Sequence, residues 1–189
     1  MTPIQLVYKI AERIEDIVKN YLMEESNTDS DGKRAMRAPK VWTQNLPEKL
    51  YENVPDPADY PFVLVMLGGG NGVTDNKMPC SVAILVGGYD DGQVIEGGVR
   101  DRQGWLLPAE MAWRIITSLA VDPVIGAFAL DLEEISWELP GQEQPAPQWF
   151  GIINTTWTIP VPRQTFDLQN MDSYVGQHCD AALIEDINT

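Results

Sequence analysis

Between Glu134 and Gln164 the chain carries two tryptophan-bearing arms, EISWELP and FGIINTTWTIPVPRQ, separated by the proline-spaced GQEQPAPQW. In the first arm Ile135, Trp137 and Leu139 alternate with Glu134, Ser136 and Glu138. In the second, Ile153, Trp157 and Ile159 alternate with Asn154, Thr156 and Thr158. A period of two predicts a β-hairpin whose arms each have one apolar and one polar face. Pro140, Pro145 and Pro147 cannot donate into a ladder, so they hold the connection out of the sheet, and Pro160 and Pro162 end the second arm in the same way. Neither arm holds a His or Cys. The hairpin therefore offers surfaces rather than nucleophilic chemistry.

A chain of 189 residues can bury roughly 70% of its unfolded surface without a covalent staple. Residues 1–164 read as one domain, followed by an acidic extension over 165–189 that contains no Lys or Arg. Cys80 and Cys179 lie far apart, show no CxxC or His spacing, and follow no basic-then-apolar leader. The expectation is a reduced, intracellular protein, with a disulfide between them as the alternative. The longest apolar runs, 61–67 and 82–86, fall well short of the roughly 20 residues a membrane helix needs. A formal charge of −15 argues against a protein that grips phosphate backbones over a broad surface. The one basic cluster, Lys33, Arg34, Arg37 and Lys40, has no interleaved aromatics. It reads as a solvated loop or a contact with an acidic neighbouring subunit, not as a nucleic-acid site.

Thr2, Pro3 and Gln5 suit the N-cap, first helical position and capping-box partner of a helix reaching about Met23, with Ile4, Val7, Ile10, Ile14, Ile17 and Tyr21 on one stripe. Residues 24–39 read as a polar loop, and a short extended segment follows around Val41 and Trp42. The unbroken apolar runs Phe62–Leu67 and Val82–Val86 read as central strands covered on both faces. A second helix is expected to start near Pro108, to carry Met111, Ala112, Ile115, Ile116 and Leu119 on one side, and to end at Asp122 and Pro123. The fold class is thus α/β in the α+β sense: a mostly antiparallel sheet with a C-terminal β-hairpin, covered by two amphipathic helices.

Three places could carry chemistry. Gly68, Gly69, Gly70, Asn71 and Gly72 follow a strand, as a phosphate loop would, but Val73, Thr74, Asp75 and Asn76 lead to another strand and no Gly-Lys-Ser/Thr follows. A mobile hairpin loop is the reading. Asp90, Asp91 and Glu96, with Asp101 nearby, could be imagined around a hard cation, yet their spacing does not match an EF-hand loop, and a solvated acidic turn is the reading. His178 and Cys179 are sequence neighbours in the acidic extension, a poor basis for a nucleophile–base pair or a zinc site. Glu134 and Glu138 lie on the polar side of a strand, where paired acid–base work is not expected. No catalytic, cofactor-binding or metal residue is assigned, and no cofactor is expected.

The phrases PKVWTQNLPEKL, DYPFVLVMLGGG, SVAILVGGYDDG and, most specifically, ISWELPGQEQPAPQWFGIINTTWTIPVPRQ cover about residues 39–164. With the order of elements, they resemble a family of tailed-bacteriophage and prophage tail terminators, also called tail completion or head-tail joining proteins. The resemblance implies a small α/β domain assembling as a ring, typically a homohexamer, that caps the tail tube. Its partners would be the tail tube protein and a neck or head-completion protein, and DNA would pass through the lumen without sequence-specific binding. The chain would reside in the virion at the tail–neck junction, and in the host cytoplasm during assembly, with no membrane contact. Six copies would make a strongly anionic ring whose lumen repels phosphate. Two alternatives stand beside it: another neck or head-closure protein of the connector, and a small-molecule- or metal-binding enzyme using the Gly68–Gly72 and Asp90–Glu96 loops.

Overall fold

The computed structural model describes residues 2–28, 34–47, 60–90, 92, 98, 103–140 and 147–161. Helix α1 spans Pro3–Val18 and opens on the expected capping box: Gln5 N donates to Thr2 Oγ1 at 3.3 Å and Thr2 N donates to Gln5 Oε1 at 3.0 Å. Its buried face is Leu6, Val7, Ile10, Ile14 and Val18. The stripe is therefore rotated from the expected one, because Ile4 is 63% exposed while Leu6 is fully buried. The helix also ends five residues before Met23. Tyr21 N turns back to Val18 O at 2.8 Å, and Met23 already begins a strand.

That strand corrects the polar-loop reading of residues 24–39. β1 (Met23–Thr28) and β2 (Arg34–Arg37) pair antiparallel as a separate two-stranded sheet. The sequence MEESNT lacks apolar alternation, so no period-two signal marks it. Met23 itself is buried, with its methyl near Gly88.

β3 (Lys40–Thr43), β4 (Phe62–Gly70) and β5 (Lys77–Tyr89) follow, with α2 (Leu106–Val121), β6 (Val124–Ile125), β7 (Phe128–Glu138) and β8 (Gln148–Pro160) behind them. The main sheet has the order β3-β4-β5-β8-β7-β6; only the β3–β4 pair is parallel. The fold is thus α+β with a mostly antiparallel sheet. The chain-consecutive strands β4–β5 and β7–β8 are hairpins, and β8 pairs along its whole length with β5 in the middle of the sheet.

Both helices lie on one face. Val63, Val65, Cys80, Val82, Ile84, Val86, Ile153, Trp157 and Ile159 point into a single buried cluster with the α1 face and with Met111, Ala112, Ile115 and Leu119 of α2. This is the α2 side the sequence indicated, and Asp122 caps the helix as expected. Arg13 of α1 reaches the Asp122 carboxylate at 3.2 Å, an exposed tie between the two helices. On the opposite face Tyr60, Phe62, Tyr89 and Phe150 form an aromatic cluster with ring centroids 5.1–6.4 Å apart. Phe62, Val63, Leu64 and Val65 are buried on both sides, as a central strand should be. In β5 only Val82, Ile84 and Val86 of the apolar run are fully buried, and Ala83 and Leu85 are half-buried.

Candidate functional site

The Trp hairpin exists with longer arms than the alternation alone marked, and its register is irregular. Leu130 pairs with Trp157 and Asp131 with Thr156, but Ser136 pairs with Asn154 and Trp137 with Ile153. Five steps along β7 from Asp131 to Ser136 match two steps along β8, so β7 carries a bulge of three extra residues. An odd insertion swaps the parity of every later side chain. Phe128 and Leu130 before the bulge, and Trp137 after it, consequently share the helix-side face of the sheet. An Asx turn shapes the bulge, with Glu133 N donating to Asp131 Oδ1 at 3.1 Å. Trp157 is wholly buried, whereas Trp137 is 46% exposed.

The acidic residues of β7 all face water: Asp131, Glu133, Glu134 and Glu138 are exposed. Glu134 sits in the bulge and borders a groove of about 410 Å³ with Gly69, Gly70, Ser81 and Thr156. Glu138 lies beyond the bulge in the regular ladder, opposite Ile152. The two carboxylates therefore occupy differently built segments of one strand.

The glycine-rich segment is a hairpin, as expected, but most of it is strand: β4 runs through Gly70. The tight turn is Asp75-Asn76, both at positive φ (51° and 60°), closed by reciprocal hydrogen bonds of 2.9 Å between Thr74 and Lys77. Two central residues at positive φ define the primed turn that matches strand twist. Gly68 and Gly70 lie against the side chains of Ser81 and Met78, which an added Cβ would meet at 3.0 Å and 2.9 Å. No helix N-terminus follows to cradle a phosphate.

Asp90 follows β5, and its carboxylate accepts from Gly92 N at 2.8 Å while its carbonyl accepts from the Trp149 indole at 2.9 Å. Both bonds serve a turn. Asp91, Glu96, Asp101, His178 and Cys179 lie outside the described residues, as does the extension 165–189. Among the described residues no group of three His, Cys, Asp or Glu side chains converges, and no described helix is long and apolar enough to cross a membrane. Cys80 is a buried free thiol whose pKa is pushed up by burial.

What pattern reading missed is the surface around α2 and the outer sheet edge. Leu106 and Trp113 are 44% and 59% exposed and stand two turns apart on one face of α2, and Val121, Val124 and Leu132 are at least half exposed. Leu106 also lines an apolar groove of about 400 Å³ with Leu22, Met23, Met36 and Tyr89. The apolar character running right around α2 was the available signal, since a helix of that kind needs cover on more than one side.

Fold and surface together define an α+β protein with exposed aromatic and aliphatic side chains and, among the described residues, sheet edges at β3 and β6–β7. No protein-family model matches the chain, and no curated protein matches it.

Proposed function

We propose that this chain is a structural protein of a tailed-phage virion that assembles as a ring, caps the tail tube, ends tail polymerisation and joins the tail to the neck. The observation that carries the reading is the outward apolar surface of α2 and the β6–β7 edge, with Trp113, Leu106, Val121 and Leu132 in water. Leu106 and Trp113 share one face of α2, and grouped exposed apolar side chains mark association surfaces. The phrase resemblance over residues 39–164 supplies the class of assembly, and the reading assigns the protein no catalytic residue.

Electron microscopy of particles assembled without the protein tests this. The expected result is tails of uncontrolled length that do not attach to heads. Normal-length tails joined to heads would overturn it.

A further inference from the structure

We propose that the Asn71-Gly72 peptide is a site of self-modification, where the backbone nitrogen of Gly72 attacks the Asn71 side chain and converts it to aspartate and isoaspartate. It is the one Asn-Gly step in the chain. Both residues are exposed, in the link between β4 and β5. Gly72 has φ 63°, and a Cβ placed on it would meet nothing within 4 Å. No side chain of its own or of a neighbour therefore hinders the attack. Asn71 N is tied to Pro79 O at 3.0 Å. Among the described residues, however, Gly72 N donates to no acceptor and the Asn71 amide has no partner. The attacking and the leaving nitrogen both face water.

Three other asparagines differ at the nitrogen that would attack. Lys77 N, after Asn76, donates to Thr74 O at 2.9 Å, and Tyr21 N, after Asn20, donates to Val18 O at 2.8 Å. Thr155, after Asn154, lies in β8 between β5 and β7.

In the reaction hydroxide takes the proton of Gly72 N, and the electron pair left there forms a bond to Asn71 Cγ. The Cγ–Nδ2 bond breaks, and Nδ2 takes a proton from water and leaves as ammonia. Water then opens the cyclic imide at either carbonyl. One opening gives aspartate, and the other gives isoaspartate, in which the main chain runs through the former side chain. Nothing is oxidised or reduced; one water is consumed and one ammonia released per chain. Asn71 borders the groove of about 410 Å³ that Glu134 also lines. Either product thus sets a second carboxylate on that groove and adds one negative charge to a chain of formal charge −15.

Peptide mapping by mass spectrometry tests this on the full chain, held folded at two pH values one unit apart above neutral. The fragment with Asn71 is expected to gain one mass unit, as NH2 becomes OH, and to split into two isomers. Its rate is expected to rise about tenfold over that pH unit, because the attacking nitrogen must lose a proton. Fragments with Asn20, Asn76 and Asn154 are expected to stay unchanged. Gly72→Ala is expected to slow the gain at least about tenfold, and Asn71→Gln to abolish it, both checked for folding by circular dichroism. An Asn71 that stays intact in the folded chain overturns the proposal, whether or not the chain unfolded in urea converts. Conversion that Gly72→Ala leaves equally fast, or that Asn76 and Asn154 match, overturns the role of Gly72 N. The ring reading is untouched by either result.

Discussion

The Trp157 indole donates to the Thr155 hydroxyl at 3.0 Å, and that hydroxyl in turn donates to the Val82 carbonyl at 2.8 Å. Thr155 is a buried polar side chain, 2% exposed, in the face that packs under the helices. Its hydroxyl satisfies a donor that would otherwise be stranded in the core. Thr155→Val keeps the shape and removes the acceptor, so it is expected to cost about 1–3 kcal/mol, the penalty for an unpaired buried polar group. Thr155→Ser keeps the hydroxyl and loses one methyl, for about 0.8 kcal/mol. Urea denaturation of the two variants checks the order, and a Thr155→Val cost at or below that of Thr155→Ser would remove the hydrogen bond from the account.

Two glycines are fixed by close approach. A Cβ on Gly87 would enter the Phe62 ring, and a Cβ on Gly104 would enter the Trp149 indole, whose Nε1 is already held by the Asp90 carbonyl. Phe62 is itself fully buried, so its ring has no room to retreat. Gly87→Ala and Gly104→Ala are each expected to destabilise by about 1–3 kcal/mol, the usual cost of overpacking. Gly72, at φ 63° with open space around it, is a control of a different kind, where the cost of Ala is backbone strain alone, about 1–2 kcal/mol. Removing the opposing ring separates the two mechanisms: Phe62→Ala should make Gly87→Ala tolerable and leave Gly72→Ala unchanged. Double-mutant cycles measure this.

These contacts bear on how far the chain could be read from its residues. The helix side of α2, the continuous run of β4 and the buried face Ile153, Trp157 and Ile159 were legible because apolar periodicity is set by burial, and burial built the core. The bulge in β7 was not. Glu134 to Leu139 alternates cleanly on its own, and so does Phe128 to Leu130, but the parity change between them follows from pairing with β8, a non-local fact. β1 and β2 were invisible for the opposite reason: Met23 is the one apolar residue of MEESNT, so its pairing leaves no period in the sequence. The end of α1 was misplaced because Tyr21 continues the apolar spacing after the backbone has already turned. As for the candidate site, local patterns favoured a hairpin loop over a phosphate loop at Gly68–Gly72, but they could not report that Trp137 is half in water and Trp157 fully buried.

Tyr21 links α1, α2 and the alkaline stability of the protein. Its pKa is pushed up from 10.0 to about 12, first by burial of the phenol and then by the Glu110 carboxylate, against an opposing contribution from Arg114. The Arg114 guanidinium stands 4.7 Å from the ring centroid and 3.7 Å from Glu110. A folded-state pKa above the unfolded value means that the unfolded chain loses its proton first. The stabilisation is complete below pH 10 and is lost as pH rises towards about 12. Tyr21→Phe removes the titrating group, so between pH 10 and 12 its stability should fall less steeply than that of the wild type. Denaturant midpoints across that range check the slope, and parallel profiles would rule out Tyr21 as the source.

The two tryptophans of the hairpin should separate stability from assembly. Trp157 is wholly buried and Trp137 is 46% exposed at the open edge of β7. Trp157→Ala is expected to cost about 3–5 kcal/mol, as large-to-small changes of buried aromatics do. Trp137→Ser removes a partly solvated side chain and is expected to stay within about 1 kcal/mol of the wild type. Because Trp137 is a large aromatic side chain left half exposed at the sheet edge, the residue type enriched in subunit contacts, the same substitution is expected to weaken self-association. Measuring the urea midpoint and the sedimentation profile of both variants gives the contrast: Trp157→Ala loses fold and assembly together, whereas Trp137→Ser keeps the fold and loses assembly. A Trp137→Ser chain that unfolds as readily as Trp157→Ala would make Trp137 a core residue and take it out of the subunit contact.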